Sequence, residues 1–548
     1  MPLGRTLLAA LAAGLLLAAP ARSETLESDG GMISYVDEAP ASVNHLLISA
    51  AAGDFIFFDS ALVNPFDPCS STNLLTGKCP SAGVAQMLIA LREENDEMVA
   101  TSVGVPMLVL AGSGDDTVTA GTAADSLAGN PGDDTIHGGP GPDRFEDDTF
   151  GYGGGGDDKF YGDGGDDSFQ AADTYPEMAA GADRYDGGAG VDTVEYTEFA
   201  GGSVVDLVAG TARSGADADT LAGIENVKTG DGGDLLGGDG AANRFDAHGG
   251  DDALAGGGGG DRLEGGAGSD DLEGGPGPDV IHGGADFDTA RYDSSPGPVL
   301  ITLDDQPGDG QDGENDNVGS DVERVRATPF ADHVTAAAAA NVVLAGAGAD
   351  TVDGGEGGDE IRGEAGDDDL VGGPGGDNLV AGAGADRVEG GTGDDAIDVV
   401  DGEVDKVTCG IGIDTVLADA DDVLFDDCEL VTRTPAGAPP ATGTSPAPTT
   451  GTAASALLAL TGSKLRIGAK GAGRIRMRCA GAPCQGILRL KAGLRTLARA
   501  AYSLQPGAAT SVRFRLNRKG RALLRRRGRL AVQASAGGAA RRYALVRR

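Results

Sequence analysis

Residues 229–291 read TGDGGDLLG, GDGAANRFD, AHGGDDALA, GGGGGDRLE, GGAGSDDLE, GGPGPDVIH and GGADFDTAR, seven nine-residue units with nothing between them. Their sixth position is Asp except for Asn243, and their eighth is a large apolar residue except for Ala290. The same phase continues outward, with eight units at 327–398, four at 111–146, and two each at 153–170, 178–195 and 400–417. Across these 25 units the sixth position is Asp in 23 and Asn in two, Asn243 and Asn341, while the eighth is large and apolar in 24. A Gly-rich acidic composition alone does not hold two chemically opposite positions in phase over that many copies. Such a period is the signature of a repeat architecture.

Each position has a physical reading. The eighth residue and its neighbours make a very short strand with one side chain turned inward. The glycines allow a tight turn through left-handed backbone angles. Two units, one strand on each side, close a coil of about 18 residues, and coils stack at the ~4.8 Å strand spacing. The 25 units then correspond to about 12 coils, roughly 60 Å of stack.

Composition agrees. The chain has 548 residues, of which 94 are Gly, and has no Trp and 4% aromatic residues. That leaves little to build a large aromatic-rich enzyme core. Only 25 Pro and no three-residue Gly period exclude collagen. A hydrophobic content of 40% argues against full disorder despite a net charge of −45.

A single inward row of Val, Leu, Ile and Phe is a thin core for so many ordered glycines. The sixth-position aspartates stack above one another, and a bare ladder of like charges repels strongly. A hard divalent cation removes that repulsion. Ca²⁺ accepts six to eight oxygens from carboxylates and turn carbonyls, whereas Mg²⁺ demands strict octahedral geometry and gives up water reluctantly.

The pattern Gly-Gly-x-Gly-x-Asp-x-apolar-x resembles the repeat of RTX, or haemolysin-type, calcium-binding proteins, over about residues 111–417. The resemblance implies an all-β chain built on a parallel β-roll, a β-solenoid of nonapeptide repeats with Ca²⁺ between successive turns. It assigns as metal ligands Asp116, Asp134, Asp143, Asp158, Asp167, Asp192, Asp252, Asp261, Asp270, Asp279, Asp350, Asp359, Asp368, Asp377, Asp386 and Asp395. The units at 327–335 (ATPFADHVT) and 336–344 (AAAAANVVL) lack the glycines and are expected only to continue the core.

Two insertions, at 196–228 and 292–326, interrupt the phase and resemble each other. Each opens with Tyr, continues with an alternating apolar segment and ends in an apolar-Glu-x-Val phrase, IENVK or VERVR. They read as longer strands that extend the solenoid. Residues 24–110 lack the repeat; MISYVD, HLLISAAAGDFIFFDS and VPMLVLAG read as strands of an N-terminal β cap, and residues 77–101 as a degenerate first coil. At the other end, VDKVTCGIGIDTVLADADDVLFDDCE (404–429) closes the calcium-binding roll, 111–430. This segment resembles the last coils of secreted calcium-binding repeat proteins, with a terminal disulfide.

Six cysteines fit an oxidising compartment. They allow fifteen pairings, of which proximity favours Cys69–Cys79, Cys409–Cys428 and Cys479–Cys484. Thiolate–metal ligation is the competing reading, disfavoured because no His lies near a Cys pair. Residues 1–23 carry Arg5, an apolar run and small residues at 21 and 23, as in a secretory signal peptide. The expectation is an extracellular protein with no membrane span.

A Pro/Thr/Ala-rich linker at 431–456 leads to residues 457–548, which hold 23 Lys and Arg and no Asp or Glu. The rest of the chain has 18 bases against 86 acids, a net −68. Alternation at Arg474–Arg478, Ile487–Lys491, Val512–Leu516 and Leu530–Gln533 predicts a small basic β-sandwich, with one short helix at Arg521–Gly528. The plainest roles for it are solubility or docking on the chain's own acidic body. Binding an anionic cell-envelope or matrix polymer is the functional reading. Nucleic acid is not expected as a partner of a secreted chain whose bases alternate with apolar residues.

Catalytic motifs are missing from the sequence. The five His are scattered, with no HExxH, no GxSxG and no GxxxxGK[ST]. The expected protein is therefore a non-enzymatic calcium-binding repeat protein. The alternative is a Ca²⁺-dependent polysaccharide lyase or hydrolase acting on acidic polymers, for which Arg291, Arg324 and Arg326 beside the second insertion are the candidates.

Overall fold

The computed structural model describes residues 84–434, apart from 147–155, 172–180, 198, 200 and 216–217, together with strands between Thr25 and Pro80 and between Leu457 and Arg547. The expected signal peptide and the Arg521–Gly528 helix lie outside the described residues.

Each repeat forms the short strand its eighth residue demands. Leu236 pairs with Leu254 and Leu254 with Leu272, while Phe245 pairs with Leu263 and Leu263 with Ile281, all in parallel. Partners are two units apart, so successive units go to alternate sheets and two of them close a coil. The eighth-position side chain is buried in all 25 units, Ala290 included. Where neighbouring coils both place an aromatic there, the rings stack along the axis, with Phe145 and Phe169 centroids 4.7 Å apart and Phe160 and Tyr185 5.7 Å apart.

The turns require glycine where coils meet. Gly275 and Gly277, second and fourth in their unit, have φ of 96° and 145°. A Cβ on Gly277 would overlap the carbonyl oxygen of Gly259 one coil away. Backbone packing as well as chain reversal therefore fixes these positions.

Both insertions stay within the solenoid, as expected, but in an order that alternation could not reveal. In the first, strands Ser203–Asp206, Thr211–Ser214 and Asp219–Ala222 form an antiparallel meander. Its last strand pairs in parallel with the preceding coil at Arg184–Asp186, and its first with the following coil at Leu235–Gly237. Three strands thus replace one, and the chain crosses them backwards. The second insertion repeats the design on the opposite sheet. There Asn317–Val318 pairs with Val280–Asp286, Val299–Thr302 pairs with His333–Thr335, and Gly310–Gln311 lies between.

Parallel stacking begins before the recognisable repeats. Met32–Val36 pairs with Gln86–Glu93, which pairs with Met107–Ser113, and His45–Ala51 pairs with Glu97–Val99. Antiparallel neighbours Thr25–Asp29 and Asp54–Phe58 cover these first strands, which otherwise present open edges. Ile33, Tyr35, Leu46 and Met98 join the core of the repeats up to Ile281, and a second core cluster runs from Ala290 to Ala418. These coils and the insertions bring the solenoid to about 18 turns. At the far end the Cys409–Cys428 disulfide ties the last coils, whose final strand is Leu430–Arg433. Cys69, Cys79, Cys479 and Cys484 lie outside the residues whose side chains are described.

Residues 443–548 form a separate unit. Three of the segments expected as strands fall within strands and Val512–Leu516 runs one residue past Ala509–Arg515, and the pairing gives one sheet of three strands and another of five. Most neighbours are antiparallel, as in Cys484–Ala492 with Arg495–Leu504.

Candidate metal centre

The repeat places its aspartate just before the strand, so 18-residue periodicity brings sixth-position carboxylates into two rows, one beside each sheet. All sixteen sequence-predicted ligands are buried in these rows. Along one run the Asp252 amide donates to Asp270 Oδ1 at 2.9 Å and the Asp270 amide to Asp288 Oδ1 at 2.9 Å. Along the other, the Asp261 amide donates to Asp279 Oδ1 at 2.8 Å. The same bond links Asp116 to Asp134, Asp143 to Asp167, and Asp350, Asp368 and Asp386 in series.

The second carboxylate oxygen is different. Oδ2 of Asp116, Asp134, Asp143, Asp167, Asp192, Asp252, Asp261, Asp270, Asp279, Asp350, Asp359, Asp368, Asp377, Asp386 and Asp395 is buried without a hydrogen-bond partner. In the units that begin with Gly it lies over that first glycine, as Asp270 does over Gly265 and Asp368 over Gly363, in space that a Cβ would fill. An orphaned buried carboxylate oxygen is costly. Burial accordingly pushes these carboxyls up, with neighbouring row members adding repulsion. Asp134 rises to about 9, Asp143 to about 8, and Asp116, Asp252 and Asp368 to about 7.

No three His, Cys, Asp or Glu side chains converge among the described residues. What the rungs offer instead is oxygen: over Gly256, Gly265 and Gly372 the bare oxygen of Asp261, Asp270 or Asp377 shares its space with the backbone carbonyl of Gly274, Gly283 or Gly390 on the next coil. An oxygen-only set of this kind suits Ca²⁺. The residues present therefore fit the ion, held between turns rather than in a side-chain cage.

The rows extend beyond the sequence-predicted set. Asp183, Asp288, Asp405 and Asp414 are further sixth-position members, and Asp96 begins one row from a unit without glycines. Glu225, Glu323 and Glu429 also belong, accepting from the amides of Asp192, Asp288 and Asp414 at 2.8, 2.9 and 3.0 Å. The signal for the first two was the Glu-x-Val phrase closing each insertion. Asp332 of the glycine-poor unit is already satisfied by the Thr328 amide and hydroxyl, in keeping with a unit that only continues the core.

The arginines considered for catalysis sit on strand surfaces. Arg291 and Arg326 both pair with Asp293, at 3.2 and 3.1 Å, and Arg324 lies over the Phe287 ring.

Fold and rows together define a parallel β-roll of acidic nonapeptides with bare carboxylate oxygens in rows along its coils. The RTX calcium-binding nonapeptide repeat matches the chain at 110–145, 147–171, 179–194, 255–290 and, in overlapping copies, 326–402. Over these segments the chain carries RTX calcium-binding nonapeptide repeats. No curated protein matches it.

Proposed function

We propose that this is a secreted, non-enzymatic protein whose roll folds outside the cell when Ca²⁺ neutralises the two carboxylate rows, and that it serves a structural or adhesive role at or beyond the cell envelope. The observation that carries this reading is the row of buried Oδ2 atoms without partners. Binding to those atoms turns metal affinity into folding energy, so the chain stays expanded where calcium is scarce. Secretion is supported by residues 1–23 and by the six cysteines. Among the described residues no helix is long and apolar enough to cross a membrane.

The basic unit at 457–548 is the proposed contact for an anionic envelope or matrix polymer, on the strength of its 23 bases. The ion pairs of Arg291 and Arg326 favour the non-enzymatic reading over a polysaccharide lyase. Calorimetric titration of the metal-free chain should show uptake of several Ca²⁺ with little response to Mg²⁺. No heat of calcium binding would reject the reading. Deleting residues 457–548 should abolish envelope retention while leaving calcium uptake intact, and unchanged retention would reject the adhesive role.

A further inference from the structure

At each insertion two side chains, a Tyr and an Asn, depart from the row chemistry, and they do so in the same way at both. Where a repeat would start with Gly, the insertions start with Tyr196 and Tyr292. The Tyr196 hydroxyl donates to Asp219 Oδ2 at 2.8 Å, and the Tyr292 hydroxyl to Asp316 Oδ2 at 2.9 Å. Asp219 and Asp316 are row members, since their Oδ1 atoms accept from the amides of Asp183 and Asp279. The oxygen left bare in the fifteen aspartates named above is here hydrogen-bonded by a phenol, a closer contact than the 3.4 Å from the Tyr185 hydroxyl to Asp183 Oδ2.

In the row on the other side, the rung after the insertion is Glu225 or Glu323, and the next is Asn243 or Asn341, the only two sixth-position asparagines. Asn243 Nδ2 donates to the Glu225 carbonyl at 3.1 Å, and Asn341 Nδ2 to the Val322 carbonyl at 3.0 Å. Their Oδ1 atoms accept from the amides of Asp239 and Ala337. Neither amide leaves a bare oxygen, and neither carries charge.

Resting on the calcium reading above, we infer that Tyr196, Tyr292, Asn243 and Asn341 are built-in substitutes for the cation, and that they break both carboxylate rows at the two insertions into three blocks that take up Ca²⁺ independently. A hydrogen-bond donor at a buried carboxylate oxygen removes the need for a counterion there. An asparagine removes both the charge and the hard ligand. Because both rows are interrupted at both insertions, no ion bridges the carboxylates of neighbouring blocks.

The test is calcium-dependent hydrogen exchange on the full chain, read separately over 234–288 and 350–414. Asp270→Asn, which copies the insertion's own residue within the middle block, should move the calcium midpoint of 234–288 upward by on the order of tenfold, ~1.4 kcal/mol. The midpoint of 350–414 should stay unchanged. Conversely, Asn341→Asp should raise the calcium stoichiometry or the calcium needed to protect the flanking coils. Equal shifts in both segments for Asp270→Asn would overturn the partition while leaving calcium binding in place. So would an Asn341→Asp chain that titrates as the parent does. A wild-type chain without calcium-dependent protection anywhere would instead reject the calcium reading, and the partition with it.

Discussion

Asp270 shows how much one position carries. Its Oδ1 fixes the register of the preceding coil by accepting from the Asp252 amide, its Oδ2 is left bare, and the absence of a side chain on Gly265 makes room for it. This economy made the site legible in sequence. Sixth Asp and eighth apolar residue have opposite chemistry and a fixed spacing, so periodicity alone located both. Glu225, Glu323 and Asp96 escaped because they reach the same rows without the glycine frame, and Glu does so with a longer side chain. The glycines are equally exacting. Gly277→Ala in the calcium-bound chain places a Cβ against the Gly259 carbonyl at a φ of 145°. It should cost at least 1–3 kcal/mol, measured as a fall in the denaturation midpoint. Phe245→Ala removes a fully buried ring from a single-file core and should cost about 3–5 kcal/mol by the same measurement. A loss below 1 kcal/mol for Phe245→Ala would mean that the eighth position does not form the core.

At the scale of elements, a repeat strand of three residues has little to hold it except its neighbours, so the ends and interruptions need special devices. The insertions announce themselves in sequence by their tyrosines and their alternating apolar segments. Their backward strand order does not, because alternation reports which face a side chain takes and not which strand lies beside it. The coil before the repeats was legible only as a degenerate one: Gln86–Glu93 and Glu97–Val99 pair as repeats do, but residues 91–99 carry no glycine. The last coils depend on Cys409–Cys428, which spans 19 residues. Closing a loop of that size contributes about 3 kcal/mol. Cys428→Ser should therefore speed hydrogen exchange at 406–433 in the calcium-bound protein and leave 234–288 unaffected. Uniform acceleration along the roll would contradict this account of a local end-clamp.

For the whole molecule, the net charge of −45 combines a −68 body with a +23 tail, and the body's charge is arranged in rows that oppose their own folding. The pH dependence follows from the direction of the shifts. Burial raises carboxyls in the rows above the usual ~3.9, to about 6 at Asp359 and about 9 at Asp134. A carboxyl whose folded-state pKa is raised favours folding fully below its unfolded value, and that contribution is lost as pH rises through the folded value. The metal-free chain should therefore show more strand structure near pH 4 than near pH 8, read by circular dichroism. The opposite order would mean that the carboxylates are not the obstacle. At neutral pH calcium must then supply what protons supply in acid. The most direct measurement is circular dichroism of the metal-free full chain at neutral pH during addition of Ca²⁺. A cooperative gain of strand signal, reversed by chelator, is the predicted result; a spectrum already rich in strand and unchanged by calcium would contradict it.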